Sequence, residues 1–114
     1  MSLSSLLFPP NPIFFYKEID VPALAVGQTV MYDEEMALRD CRKFSPFSNI
    51  QVVNTSECDL DILLDYNPSR KLIVLGGGTK ALRNQPFSCF SIKNKDATVA
   101  TTAGQVFIEL ETIR

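Results

Sequence analysis

The stretch NIQVVNTSECDLDILLDYN, Asn49 to Asn67, decides the fold class. From Asp59 it alternates, with Leu60, Ile62, Leu64 and Tyr66 on one side and Asp59, Asp61 and Asp65 on the other. A period of two with acids outward predicts a half-buried antiparallel strand. Leu63 is the apolar exception on the acidic side. Near the carboxyl end Val106, Ile108 and Leu110 alternate with Gln105, Glu109 and Glu111 in the same way. There Phe107 is the exception, and the pattern is expected to fade at Thr112 and Ile113. The grammar is that of an all-β chain.

Working outward, strands are expected over residues 13–19, 24–31 with an interruption at Gly27, 47–54, 59–66, 71–75, 87–93, 97–102 and 105–112. Asn67-Pro68-Ser69-Arg70 predicts a turn, because Asn favours its first position and Pro pre-sets the second. Gly76 to Gly78 ends the return strand of that hairpin, and Thr79 to Arg83 reads as a short extended or turn segment. The apolar positions Phe87, Cys89, Phe90 and Ile92 change phase at Phe90, which predicts a bulge. Met36 to Phe44 shows no clear period. With no crossover helix, the expected fold is an antiparallel β-sandwich of about eight strands, jelly-roll-like or Ig-like.

Residues 1–12 end in Phe-Pro-Pro-Asn-Pro, where Pro9, Pro10 and Pro12 forbid regular ladder pairing. They predict an extended proline-rich arm beside one sandwich domain over 13–114. Leu3, Leu6, Leu7 and Phe8 would be apolar groups stranded in water unless the arm folds back or docks on a neighbour. Leu6, Leu7 and Phe8, with Phe14 and Phe15, form the expected oligomer interface, since aromatic residues are enriched at buried protein contacts.

Composition narrows the function classes. The chain has 114 residues, 46% of them apolar, enough for one core without metals or disulfide staples. Its 11 basic and 13 acidic residues nearly balance, and no basic stripe with interleaved aromatics emerges, so neither nucleic acid nor an anionic membrane is expected as partner. No apolar run approaches a membrane span, and the start lacks the form of a secretory signal. Cys41, Cys58 and Cys89 are odd in number and widely spaced, which favours reduced thiols and an intracellular site of synthesis over one disulfide with a free thiol. The Asn54-Thr55-Ser56 sequon is then without consequence.

The absence of histidine removes the commonest general base and metal ligand, so no Ser-His-Asp or Cys-His constellation exists in this sequence. No catalytic, cofactor-binding or metal site is expected. Val74 to Thr79 resembles the glycine-rich loop of certain flavin-binding oxidoreductases, but those domains are larger and more helical, and a glycine turn is the simpler reading. Asp59, Asp61 and Asp65, with Glu57 nearby, could gather around calcium only if a loop folds in, because alternate residues of a strand stand about 6.8 Å apart. A solvated acidic face is the simpler reading there too. Asn54, Glu57, Asp59, Gly77 and Thr79 mark the loops where a ligand or partner is expected.

The order of features from Phe47 onward is similar to that of small β-sandwich virion proteins. An apolar strand ending at Asn54 leads into the alternating strand Asp59 to Tyr66. A glycine turn follows at Gly76 to Thr79, then a strand opening at Gln85-Pro86-Phe87, and the Thr-rich Thr98 to Thr102 precedes the final strand. The resemblance implies a capsid-associated, decoration or tail-tip protein, non-enzymatic, forming symmetric homo-oligomers and meeting other virion proteins. It implies a place in the virion, or in host cytoplasm during assembly. The alternative expectation is a ligand-binding sandwich for carbohydrate or calcium.

Overall fold

The structure is a computed structural model that describes residues 14–113. The arm over 1–12, with Leu6, Leu7 and Phe8, lies outside the described residues. Eight strands are present: β1 (Phe14–Asp20), β2 (Thr29–Tyr32), β3 (Asn49–Asn54), β4 (Leu60–Leu64), β5 (Lys71–Val74), β6 (Thr79–Leu82), β7 (Phe90–Asn94) and β8 (Val106–Ile113). They form two antiparallel four-stranded sheets, sheet 1 in the order β1-β8-β3-β6 and sheet 2 in the order β2-β7-β4-β5. The pairs β1·β8, β2·β7, β3·β6 and β4·β5 nest inside one another, as if a single long hairpin had been rolled up. That nesting makes the sandwich a jelly roll and not an Ig-like fold.

Alternation builds the core. Leu60, Ile62 and Leu64 of β4 are buried against Ile50 and Val52 of β3 and Ile108 and Leu110 of β8. Aromatic residues close one end of the sandwich. Phe47 lies 5.7 Å from Phe87, Phe87 meets Phe90 edge-on at 6.2 Å, and Tyr32 stacks on Phe90 at 4.9 Å. Offset and edge contacts of this kind add about 0.5–1.5 kcal/mol per pair beyond the area they bury.

Several boundaries differ from the sequence expectation. Alternation in β8 continues to its end, with Thr112 buried because its hydroxyl donates to the Phe44 carbonyl at 2.7 Å. The strand expected over 24–31 shrinks to Thr29–Tyr32, since Gly27 adopts φ +72° and the Gln28 amide closes a turn on the Ala25 carbonyl. Residues 97–102 are not a strand: one Asp96 carboxylate oxygen accepts from the amides of Thr98 and Val99, both at 2.8 Å, and side-chain capture of the backbone outcompetes a ladder. These bonds hold the Asp96 carboxyl below its ordinary pKa. The phase change at Phe90 is a break between two pairings: Phe87 bridges to Phe47, and β7 starts anew at Phe90. Met36 to Phe44, which had no period, forms a turn and then a 3-10 helix over Arg39–Phe44 that buries Cys41. Thr79 to Arg83, read as an extended or turn segment, contains the edge strand β6.

The alternating strand itself ends two residues early. Asp65 and Tyr66 take φ of 53° and 56°, and the Asn67 amide donates to the Leu64 carbonyl at 3.0 Å, the pattern of a type I′ turn. Asp65 therefore leaves the acidic face. It accepts from the Ser88 amide at 2.7 Å and pairs with Arg70 at 2.6 Å, while Arg70 also donates to the Pro86 carbonyl. Asn67 caps the next turn by accepting from the Ser69 amide, as its position before Pro68 predicts.

Candidate interaction surfaces

The loops singled out in the sequence converge at one end of the sandwich. The Gly77 amide donates to the Ser56 carbonyl at 3.0 Å and the Asn54 amide to the Gly78 carbonyl at 2.9 Å, so residues 54–59 and 75–79 interlock. Contact is close enough that a Cβ on Gly76 would stand 2.7 Å from the Glu57 carbonyl oxygen. Gly77 has φ +75°, a left-handed conformation that glycine adopts at no steric cost.

Their polar atoms are largely committed to the fold. Asn54 is buried, and its amide donates to the carbonyls of Cys58 at 2.7 Å, Leu75 at 3.2 Å and Val74 at 3.4 Å. Its side-chain oxygen accepts from the Ser56 amide and hydroxyl at 3.0 and 2.6 Å. Asn54 is thus a strut between loops. Asp59 accepts from the Gly76 amide at 2.9 Å, and Thr79 sits in β6 opposite Val53. Glu57 is exposed. Among the described residues, no group of three or more His, Cys, Asp or Glu side chains converges on one metal position.

The thiols lack the signature of nucleophiles. Burial raises the pKa of all three cysteines, and for Cys89 the neighbouring Asp65 carboxylate raises it further. A thiol held above its ordinary pKa is mostly protonated near neutral pH and reacts slowly. The three are free, with Cys41 and Cys58 buried. The Tyr66 hydroxyl is buried beside Cys89 without a conventional partner, and burial with the neighbouring thiol pushes its pKa to about 12.

Phe14 and Phe15 divide between inside and outside, as adjacent strand residues must. Phe15 stacks on Phe44 at 4.2 Å with the rings 11° from parallel. Phe14 points the other way, 66% exposed, opposite Ile113, which is 50% exposed. This apolar pair is formed by the first and last of the described residues. Next along β1, Tyr16 donates to Glu18 at 2.8 Å.

The chain is similar in structure to the coat protein of Tobacco streak virus, with a TM-score of 0.52 over 92% of this chain and 88% of that one. Identity is 8%, so the likeness is one of fold. No family model matches the sequence, and a search of curated proteins finds no match. Among the described residues no helix is long and apolar enough to cross a membrane.

Sequence reasoning missed the charge arrangement of the two outer faces. On sheet 1 the register sets Glu18 opposite Glu109, and Tyr16 opposite Glu111. On sheet 2 Asp61 lies 3.9 Å from the Lys71 ammonium and 3.4 Å from that of Lys95. The period-two phase of each strand gives the outward residues, but strand order is needed to bring them together.

Proposed function

We propose that this chain is a non-enzymatic structural protein of a virion that assembles into symmetric oligomers. Residues 13–114 act as one sandwich domain, and residues 1–12 as an arm that reaches a neighbouring copy. The reading is carried by the outward-facing pair Phe14 and Ile113, placed where the arm joins β1. Covering large apolar side chains contributes about 1.5–3 kcal/mol for each one fully buried, so an arm bringing Leu6, Leu7 and Phe8 to a neighbour adds several such terms. The coat-protein fold of the structural neighbour fits this reading by analogy. On this reading the protein belongs in the virion, or in host cytoplasm during assembly, with other virion proteins as partners. A carbohydrate- or calcium-binding role has less support, because Asn54 and Asp59 already serve backbone groups.

The test is absolute mass in solution, by light scattering behind size exclusion, for the full chain and for one lacking residues 2–12. A defined oligomer that dissociates on truncation is expected. Equal mass and equal stability for the two chains would remove the arm from the assembly.

A further inference from the structure

The two outer faces of the sandwich carry opposite charge. On sheet 1, Glu18 faces Glu109 across the ladder, Glu111 lies two residues along β8, and Asp20 follows Glu18 on β1. Like charges set directly opposite destabilise a sheet that has nothing to cover it. Among the described residues, Arg83 is the one cation lining the hollow where Glu109, Glu111, Asn49 and Gln51 meet. The field of this face is visible at Tyr16, whose pKa is pushed up to about 12 by its hydrogen bond to Glu18, by burial and by the charge of Glu109.

Sheet 2 is the complement. A hollow of about 240 Å³ opens on its outer face, floored by Leu63 and Ser91 and walled by Thr29, Asp61, Lys71 and Lys93. Lys93 stands opposite Asp61 in the register, and the Lys95 ammonium reaches Asp61 from the rim. Two ammonium groups, of Lys71 and Lys95, thus stand 3.9 and 3.4 Å from a single carboxylate, and a third lysine, Lys93, is its ladder neighbour. Asp59, just before β4, has one carboxylate oxygen engaged by the Gly76 amide. Exposed apolar residues flank both charged centres: Phe14, Ile113 and Phe107 on sheet 1, Met31 and Ile73 on sheet 2.

We propose that the lysine-walled hollow on sheet 2 of one copy receives Glu18, Glu109 and Glu111 on sheet 1 of a second copy. The contact joins two different faces, so it is head-to-tail and propagates into a ring or a filament instead of closing as a twofold dimer. It deepens the assembly reading and rests on it, but it is independent of the arm. Four strands about 4.8 Å apart and about 20 Å long present a footprint on the order of 400 Å². A stable pairwise interface uses about 800 Å² per partner, so this contact is weak between two copies and gains strength through repetition.

The experiment is sedimentation of the full chain from about 0.05 M to about 0.5 M NaCl, where screening shortens the reach of charge and association weakens about tenfold or more. Two variants are compared, Glu18→Lys with Glu109→Lys, and Lys71→Glu with Lys93→Glu, each checked for an unchanged circular dichroism spectrum. Each alone loses self-association, and an equimolar mixture regains it, because every reversed face then meets an opposite one. If a double reversal unfolds, the single exposed changes Glu18→Lys and Lys93→Glu carry the same comparison. Variants that associate like the parent chain, or a mixture that stays dissociated, overturn the proposal. The chain lacking residues 2–12 separates the two readings: if it alone loses association, the facing sheets are wrong and assembly stands. A chain that never associates overturns both.

Discussion

Asn54→Ala tests whether this residue is a strut or a recognition group. The substitution removes the best donor to the Cys58 carbonyl, at 2.7 Å, and the acceptor for the Ser56 amide, at 3.0 Å. Both partners lie in a region where Asn54, Ser56 and Cys58 are buried. Each buried group left without a partner costs about 1–3 kcal/mol, so the pair costs about 3 kcal/mol. With an unfolding entropy of about 2.1 cal/mol/K per residue, a chain of this length loses about 4 °C per kcal/mol, and the melting temperature falls by about 12 °C. Urea unfolding should show the same loss at an unchanged m-value. Asn54→Asp sharpens the test. Its carboxylate would face the carbonyls of Val74, Leu75 and Cys58, which raises its pKa in the folded state. The folded form then holds the extra proton, so the variant's deficit is smallest below about pH 4 and grows as pH rises from there. A fall of less than about 3 °C for Asn54→Ala, or an Asn54→Asp deficit flat with pH, would refute the strut.

Two glycines of one loop should respond for different reasons. Gly76→Ala places a methyl 2.7 Å from the Glu57 carbonyl oxygen and should cost about 2–3 kcal/mol, whereas Gly77→Ala meets no atom and costs about 1–2 kcal/mol through its φ of +75° alone; chemical denaturation of the pair decides the order. Alkylation followed by mass spectrometry should find Cys89 slow at neutral pH and faster as pH rises past the ordinary thiol range. Cys41 and Cys58 should react only on unfolding. A thiol modified rapidly at pH 7 would contradict the burial described.

Much of this fold is legible in the sequence where one residue's phase fixes its neighbours. Leu60, Ile62 and Leu64 announce their strand, and Asn67-Pro68 its turn, because both signals are local. The lost strand at 97–102 shows the limit. Thr98 and Val99 favour extended backbone, but one carboxylate oxygen of Asp96 holds both their amides. At Asp65 the alternating pattern runs on while the chain turns, because Arg70 beyond the turn and Ser88, distant in sequence, take its carboxylate. Of the candidate site, the two loops were legible in their turn residues, but their interlocking was not, because it rests on bonds between segments far apart in sequence. The role of Asn54 was not, since its partners at Val74 and Leu75 belong to another hairpin.

The nested pairing of strands also sets an order in time. β4 and β5 are neighbours in sequence and can meet early, whereas β1 must wait for β8, with Phe14 joining Ile113 across nearly the whole described chain. Contacts so far apart close slowly, because the entropy of a large loop is lost before the ladder compensates it. Since β8 lies between β1 and β3, sheet 1 has no continuous form until the last strand is synthesised. During that interval the aromatic β1, with Phe14, Phe15 and Tyr16, is an unpaired edge open to other chains. The protein is therefore most vulnerable to wrong association just before the moment that completes it.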